Sequence, residues 1–402
     1  MAGKTQFQII EENGIKIFIF SWNTESTRLC ETIDPEIKEY NRSAGLLGIK
    51  NLEQWYDADI ADFFTSFLSE IKKAEFPEII VIGFQEDAFP GSYFHSHMLK
   101  TEMPKNGYSL VKRTNLKGMG VTSVKAIKNW DIMARGLRLS VYAEKELAKL
   151  IEFGEIDLRS SMDYDGQAHH VFGSGFNKVT RGKGSVVSYV ICPTIGTLAF
   201  ICTHFPFDSD SLIEANARKD LMIRQDALSI SNLCFNETIR AFVLSPQFPV
   251  KPDYVFFFGD FNYRVQHPIG ADQFAIDIEK NYNNKDFYVN IVEQCDELTH
   301  QIKIGTIYNM QEGVNNMGPL FAPTCKLVKP RGLNGKIYKT GKHNQRVPSW
   351  CDRILYMNYT KSKPFELSCM LYDRFDAGAV MEKSDHAAVI GLFDINPIEH
   401  KK

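Results

Sequence analysis

The chain is organised around one stretch near its carboxyl end, Pro348-Ser349-Trp350-Cys351-Asp352-Arg353-Ile354-Leu355-Tyr356. Its last three residues are apolar and predict a strand, so the charged pair Asp352-Arg353 would stand at the edge of a rigid element, where reacting groups are best held. Taken alone, the pair fits a surface ion pair at a strand start equally well. The rest of the chain decides between a site and a surface pair.

The segment just before this stretch is strongly basic. It contains no acidic residue and seven cationic ones, which are Lys326, Lys329, Arg331, Lys336, Lys339, Lys342 and Arg346. A solvated loop can carry such a charge run, but its position beside the central stretch favours a compact anionic ligand. A net charge of -3 and a pI near 6.4 argue against a nucleic-acid partner, because domains that bind nucleic acid usually carry a broad positive surface.

Composition predicts a large core and one domain over residues 1–402. The chain has 44% apolar residues and no Pro/Gly-rich linker of any length. Its first residues carry charges and only a short apolar run, which predicts neither a signal peptide nor a spanning helix. Eight cysteines without a CxxC pair favour reduced thiols. We therefore expect a soluble cytoplasmic protein, with peripheral contact at membranes left open.

Apolar and alternating runs predict nine strands, at residues 15–22, 78–84, 136–143, 185–192, 198–203, 254–258, 353–357, 365–371 and 388–393. Helical spacing predicts a helix between the first two strands, from Ile60 to Ile71, and one or two long helices over residues 208–242. Strands that occur in blocks with long helices between them favour an α/β fold of two packed, mostly antiparallel sheets with helices outside.

Polar residues recur where the predicted strands begin or end. They are Asn23, Gln85, Glu86, His204, Asp260, Asn262, Asp352, Asp385 and His386. Each one alone has a structural explanation, such as a cap, a turn or a core histidine. Together they predict a site, because catalytic residues are commonly held at the ends of rigid elements.

Asp260 and Asn262 are the most informative of these residues. Two residues apart on an extended segment, they would point to the same side, where a carboxylate could activate water and an amide could hold an oxyanion. Asp385 could supply a metal ligand, and Asp352 could keep His386 cationic. Carboxylate and amide oxygens without a Cys/His cluster favour Mg²⁺, with Glu86 as the first choice of ligand.

Two longer motifs carry a resemblance to a known family. They are Phe257-Phe258-Gly259-Asp260-Phe261-Asn262-Tyr263-Arg264 and Arg346-Val347-Pro348-Ser349-Trp350-Cys351-Asp352-Arg353-Ile354-Leu355. Both resemble the signature motifs of the inositol polyphosphate 5-phosphatases, and the likeness runs from residue 17 to residue 386. It implies the four-layered α/β sandwich of the DNase I-like endonucleases, exonucleases and phosphatases.

The resemblance also implies roles for individual residues. Mg²⁺ would be held by Glu86 with help from Asn23 and Asp385, and Asp260 would orient and deprotonate the attacking water. The scissile phosphate would be contacted by Asn262, His204 and His386, with Asp352 supporting His386. The neighbouring phosphate would be bound by Lys326 and Arg346, with Lys183 in addition. Either Lys342 or His343 could substitute for a missing lysine.

Three positions depart from the family pattern. Cys325 stands where many members have tyrosine, Asn344 where many have lysine, and Asp208 where many lipid-directed members have histidine. The short chain looks most like type I enzymes. The substrate choice therefore stays open between inositol 1,4,5-trisphosphate or 1,3,4,5-tetrakisphosphate and the phosphoinositides phosphatidylinositol 4,5-bisphosphate and 3,4,5-trisphosphate.

Two other functions fit some of the same residues. A metal-dependent nuclease of the same superfamily could use Asp260, Asn262, Asp385 and His386 equally well, although the acidic pI and the motif of residues 348–355 argue against it. A phosphate-binding module without catalysis is the other, and the complete set of expected catalytic side chains argues against that one.

Overall fold

A computed structural model describes residues 6–24, 57–87, 102–116, 136–154, 184–192, 194–205, 221–244, 251–329, 335–339, 346–360, 364–378 and 381–398. Its strands are β1 Ile15–Asn23, β2 Ile79–Asp87, β3 Tyr108–Leu116, β4 Gly136–Glu144, β5 Glu152–Gly154, β6 Gly184–Cys192, β7 Gly196–His204, β8 Tyr254–Asp260, β9 Gln311–Glu312, β10 Asp352–Asn358, β11 Phe365–Phe375 and β12 Ala388–Pro397. The helices are α1 Gln6–Asn13, α2 Asp57–Lys73, α3 Met103–Lys105, α4 Lys145–Ala148, α5 Leu221–Ile239, α6 Ala271–Lys280, α7 Lys285–Cys295 and α8 Glu297–Lys303.

The strands form two six-stranded sheets, in the orders β11-β12-β1-β2-β4-β3 and β5-β6-β7-β8-β10-β9. One pair in each sheet is parallel, β1 with β2 and β7 with β8. The other pairs are antiparallel. The prediction of two mostly antiparallel sheets is confirmed.

Alternate residues of the central strands explain the layering. In β1, Ile17 and Ile19 lie in the core between the sheets, where Phe256 and Phe258 of β8 meet them. Phe18, Phe20 and Trp22 face the other way and pack against α2, with the Phe20 ring 5.4 Å from that of Phe67. A strand buried on both faces reads as a nearly continuous apolar run. This is why β1 and β8 were recognisable in the sequence.

Helix α5 covers the outer face of the second sheet. Phe235 and Ile239 of α5 lie in one apolar cluster with Val255 and Phe257 of β8. The order of layers is therefore helix, sheet, sheet, helix, as predicted. No helix in the described part of the chain is long and apolar enough to cross a membrane.

All nine predicted strands are present, and several extend further than predicted. Helix α2 contains the predicted residues 60–71, and the described part of residues 208–242 is helical from Leu221, ending in a π-helical turn at Arg240–Leu244. Strands β3, β5 and β9 and helices α1, α3, α4 and α6 to α8 were not predicted. Strands β5 and β9, with 3 and 2 residues, are too short to show a pattern. Helix α6 does carry apolar residues at helical spacing, with Phe274 and Ile278 buried, and could have been recognised.

The strand ends define the position of the site. Asp260 at the end of β8 is in register with His204 at the end of parallel β7 and with Asp352 at the start of antiparallel β10. Gly259, with φ of 136°, allows this close approach, because a Cβ there would lie 2.0 Å from the carbonyl oxygen of Thr203. The polar strand ends thus meet at one edge of the sandwich.

Candidate active site

Asp260 lies at the centre of the site and is almost fully buried. Its Oδ2 accepts a hydrogen bond from Asn23 Nδ2 at 2.8 Å and lies 3.3 Å from His204 Nε2. Its Oδ1 accepts from the backbone N–H of Asn262 at 3.0 Å. Three polar groups therefore fix the Asp260 carboxylate in one orientation. A side chain that directs a small reactant needs such a fixed orientation.

Asn262 reaches Asp260 by a different route from the one predicted. The premise of an extended segment is wrong, because β8 ends at Asp260 and Asn262 has a left-handed backbone with φ of 58°. The turn brings the Asn262 N–H back onto the Asp260 carboxylate. The two side chains still belong to one site. Asparagine tolerates this backbone better than most residues.

Glu86 is the most exposed carboxylate around His204. Its Oε1 lies 3.7 Å from His204 Nε2, and its side chain is 12% exposed against 3% for Asp260. Its backbone is also left-handed, with φ of 52°, and its carbonyl accepts a hydrogen bond from the Thr24 hydroxyl at 3.0 Å. A glutamate held in this sparsely populated region is typical of a functional position.

Asp352 and His386 form the second half of the site. Asp352 Oδ2 lies 2.8 Å from His386 Nδ1 and accepts the Thr324 hydroxyl at 2.7 Å. Burial raises the pKa of Asp352 to about 6 against the opposing charge of His386. Burial disfavours the His386 cation, but Asp352 outweighs it and holds the pKa of His386 well above its ordinary value. The pair is therefore ionised at neutral pH, with a cationic imidazole in the site.

The two halves are joined through Ser384. Its hydroxyl donates to the backbone carbonyl of Asn23 at 2.6 Å and accepts from the backbone N–H of His386 at 3.1 Å. The indole of Trp22 donates to the carbonyl of His386 at 3.2 Å. The segment that carries His386 is thus held directly against the end of β1.

Positive charges gather beside His386. Lys326 Nζ lies 2.5 Å from Asp385 Oδ2, and this ion pair outweighs burial and raises the pKa of Lys326. Burial lowers the pKa of Arg346, and the charge of Arg264 lowers it further. Cations that lower one another's pKa in a half-buried place form a site suited to a multivalent anion.

Cys325, which departs from the family pattern, lies within this positive region. Its hydrogen bond with Cys351 lowers the pKa of the Cys325 thiol most. The charges of His386 and Arg264 also act in this direction, while burial opposes it. Burial conversely raises the pKa of Cys351. All seven described cysteines are free thiols, as predicted.

Arg353 does not belong to the site. Asp352 and Arg353 are both fully buried, so the surface-pair interpretation is wrong. Neighbouring residues of a strand point to opposite faces, and Arg353 points away from His386. Its guanidinium pairs with Asp296 at 2.9 Å and donates from Nε to Glu312 at 2.6 Å. Asp352 and Arg353, which the sequence suggested as one charged pair, therefore belong to two separate ion-pair systems.

The donor chemistry fits a hard divalent cation. Asn23, Glu86 and Asp260 bring oxygen-bearing side chains around His204, the kind of ligand that Mg²⁺ prefers. In the described chain, Asp260, Asp352 and His386 also place ligand atoms within 4.8 Å of one another. We favour the first group, because Asp352 keeps His386 cationic, and a protonated imidazole has no lone pair to offer a metal. Asp385, the third predicted ligand, contacts Lys326 in this structure and stays a proposed ligand.

The structure brings most of the predicted site residues together. Ten lie around the same edge, and these are Asn23, Glu86, His204, Asp260, Asn262, Lys326, Arg346, Asp352, Asp385 and His386. Lys183 and Lys342 lie outside the described residues, as do Asp208, Asn344 and Cys30. Sequence reasoning gave no role to Arg264, although Arg264 closes the motif of residues 257–264 that carries the family resemblance, and this is the signal that could have revealed it.

A family model connects the chain to known proteins. The model for the endonuclease/exonuclease/phosphatase family 2 matches residues 50–392. Type I inositol polyphosphate 5-phosphatase 13 of Arabidopsis thaliana is 32% identical over 148 residues, which are 34% of this chain and 11% of that protein. Synaptojanin of Caenorhabditis elegans is 27% identical over 227 residues, 55% of this chain and 16% of that protein. The matched regions are therefore small parts of these relatives.

Solved structures support the fold. The inositol polyphosphate 5-phosphatase domain of SPsynaptojanin, in complex with inositol (1,4)-bisphosphate and calcium, aligns with a TM-score of 0.53 at 17% identity, over 96% of this chain and 86% of that one. The Cimex nitrophorin ferrous NO complex aligns with a TM-score of 0.51 at 15% identity, over 95% of this chain and 98% of that one. Proteins with such different names share this fold, so function must be argued from the site.

Proposed function

Because the chain belongs to the endonuclease/exonuclease/phosphatase family 2, we propose that it removes the 5-phosphate of inositol polyphosphates or phosphoinositides in a metal-dependent hydrolysis. Residues 1–402 would form one catalytic domain. The names of the curated relatives, inositol polyphosphate 5-phosphatases and synaptojanins, support this substrate class.

One observation carries the proposal. A rigid carboxylate, Asp260, lies at the same sheet edge as an ionised Asp352–His386 pair and the cations Lys326 and Arg346. A general base beside a cationic patch suits attack of water on a phosphate whose neighbour is also charged. An inositol ring with several phosphates presents such a pattern.

The side chains divide the chemistry between them. Asp260 orients the attacking water and accepts its proton as the P–O bond to water forms and the P–O bond to the inositol oxygen breaks; the leaving oxygen takes a proton from solvent. His386 donates from its protonated imidazole to the phosphate, and Asp352 keeps that imidazole charged. Asn262 and His204 add hydrogen bonds to the phosphate oxygens. No covalent intermediate is needed, since water attacks in line with the leaving oxygen.

A divalent cation, for which Mg²⁺ is our proposal, would be held by Glu86 with Asn23 and the neighbouring carboxylates. When bound, it supplies Lewis-acid stabilisation of the charge on the phosphate and leaving oxygens. Lys326 and Arg346 would bind the adjacent phosphate by charge-assisted hydrogen bonds. Lys183 and Lys342 remain proposed ligands of the same phosphate. We further propose that the protein acts in the cytoplasm and meets lipid substrates by peripheral contact.

The proposal is tested by phosphate release from inositol 1,4,5-trisphosphate and from short-chain phosphatidylinositol 4,5-bisphosphate, each with Mg²⁺ and with EDTA. We expect Mg²⁺-dependent release from at least one of them. Supercoiled plasmid DNA serves as a third substrate. Nicking of the plasmid without release from either inositol compound would show that the nuclease alternative is correct.

A further inference from the structure

Arg264 has no role in the chemistry described so far, although its side chain enters the site. Its Nη2 donates to Asn262 Oδ1 at 2.8 Å, and its Nη1 lies 3.9 Å from Cys325 Sγ. Burial opposes its charge, but the polar groups around it raise the pKa of Arg264 above its ordinary value. A guanidinium is charged at any working pH. Arg264 is therefore a fixed cation that touches a proposed phosphate ligand.

The segment that carries Arg264 is held rigidly from the opposite side. Glu297 accepts the Arg264 backbone N–H at 2.8 Å and donates its own N–H to the Arg264 carbonyl at 3.0 Å. Phe261 and Tyr263 are fully buried against α5, and the Tyr263 hydroxyl donates to Asn232 at 2.9 Å. Because Phe261 and Tyr263 anchor this segment, the backbone position from which the Arg264 side chain extends is fixed.

The chemistry of the contacts fixes the orientation of the Asn262 amide. A guanidinium can only donate hydrogen bonds, so the atom facing Arg264 must be the amide oxygen. A backbone carbonyl can only accept, so the atom facing Phe205, at 2.9 Å, must be the amide nitrogen. That nitrogen carries two hydrogens, and the Phe205 carbonyl uses one. The second is available for an anion in the site.

We propose that Arg264 is a positioning residue that holds the Asn262 amide with its N–H group, and not its oxygen, toward the scissile phosphate. The inference rests on the proposed phosphatase function and deepens it. If Arg264 were absent, the Phe205 carbonyl alone would oppose rotation of the amide by half a turn, and the rotated amide would be populated more. The amide oxygen would then face an anionic phosphate, where it repels charge instead of stabilising it.

The functional test is a double-mutant cycle with Arg264→Met, Asn262→Ala and the double variant. Loss of one donor to a developing oxyanion typically lowers kcat about 10²–10³-fold, and we expect this for Asn262→Ala. We expect Arg264→Met to lower kcat about 10–100-fold, with little change in KM. When Asn262 is already alanine, the same substitution should lower kcat less than about threefold further, because the effects of residues that act through one another are not additive. Arg264→Lys should recover part of the loss. Arg240→Met, at an exposed arginine, is the matched control and should leave kcat unchanged.

A readout that does not depend on turnover follows the Asn262 side chain itself. With selective ¹⁵N-asparagine labelling, the side-chain NH₂ signal that disappears in Asn262→Ala is assigned to Asn262. We expect this signal to shift and broaden in Arg264→Met but not in Arg240→Met. Thermal unfolding of each variant shows whether the fold persists, and Arg264→Lys replaces Arg264→Met if that variant does not fold.

The outcomes distinguish the positioning role of Arg264 from the proposed phosphatase function. An equal loss from Arg264→Met in both backgrounds, or an unmoved Asn262 signal, would overturn the positioning role. A wild-type protein that releases no phosphate from any inositol substrate would refute the proposed function, and the NMR result would still decide whether Arg264 positions Asn262.

Discussion

Replacing Arg353 with methionine would expose how much the fold depends on its buried charges. Arg353 is fully buried and joins two carboxylates, Asp296 and Glu312, while the Tyr372 hydroxyl donates to Glu312 at 2.7 Å. Breaking one buried ion pair costs about 3–5 kcal/mol, because an uncompensated charge stays behind. Since Arg353→Met leaves two carboxylates without their cation, we expect a loss near the top of that range, about 5 kcal/mol at pH 8.

The loss should depend on pH in a defined direction. Burial already raises the pKa of Glu312, and the charge of Arg353 lowers it. Without Arg353 the pKa of folded Glu312 rises further above its unfolded value. The folded state then binds the extra proton, so stability falls as pH rises between the two values, by about 1.4 kcal/mol per pH unit. The loss at pH 5.5 should be about 2–3 kcal/mol smaller than at pH 8.

Urea unfolding at the two pH values, followed by tryptophan fluorescence, measures both effects. The control is Arg240→Met, whose side chain is 59% exposed and pairs with Glu237 on the surface, where an ion pair contributes little. A loss below about 1 kcal/mol for Arg353→Met, or the same loss at both pH values, would contradict the assignment of a buried and charge-dependent network.

Further predictions concern the site. Asp352→Asn should lower kcat about 10²-fold or more. Because Asp352 holds the pKa of His386 high against its burial, the pKa of His386 should fall in this variant, so a pH–rate profile should show activity falling with rising pH where the wild-type activity persists. Thr324→Val removes a hydroxyl that donates to Asp352 and should cost about 1–3 kcal/mol of stability in urea unfolding. Lys326→Met should raise KM about tenfold with a smaller effect on kcat, and the exposed Lys336→Met should change neither; equal KM values for both variants would refute a role for Lys326 in substrate binding.

The sequence revealed those parts of the fold and site that depend on buried strands. The apolar runs of β1, β7 and β8 are unambiguous because both faces of these strands are buried, and each ends at a polar residue of the site. The prediction that Asp352 supports His386 agrees with their contact at 2.8 Å. These inferences needed only strand position and the chemistry of the side chain.

Other features depend on contacts between distant segments and had no local signal. Asn23 donates to Asp260 across 237 positions, and Arg353 pairs with residues 57 and 41 positions away. The left-handed backbone at Asn262 could not be read from a pattern of alternation, because a single turn residue reverses the direction of the side chains that follow. The partner of Asp385 was also beyond the sequence, since nothing in it indicates that Lys326 would reach that carboxylate.

The most direct test of the central claim is the position of the phosphate that is removed. Wild-type protein is incubated with inositol 1,4,5-trisphosphate and Mg²⁺, and the product is identified by ³¹P NMR, with Asp260→Ala as the catalytic variant and the exposed Asp272→Ala as its matched control. We predict inositol 1,4-bisphosphate as the product for wild type and Asp272→Ala, and a rate at least about 10³-fold lower for Asp260→Ala. Loss of a different phosphate, or turnover by Asp260→Ala at the wild-type rate, would contradict the account.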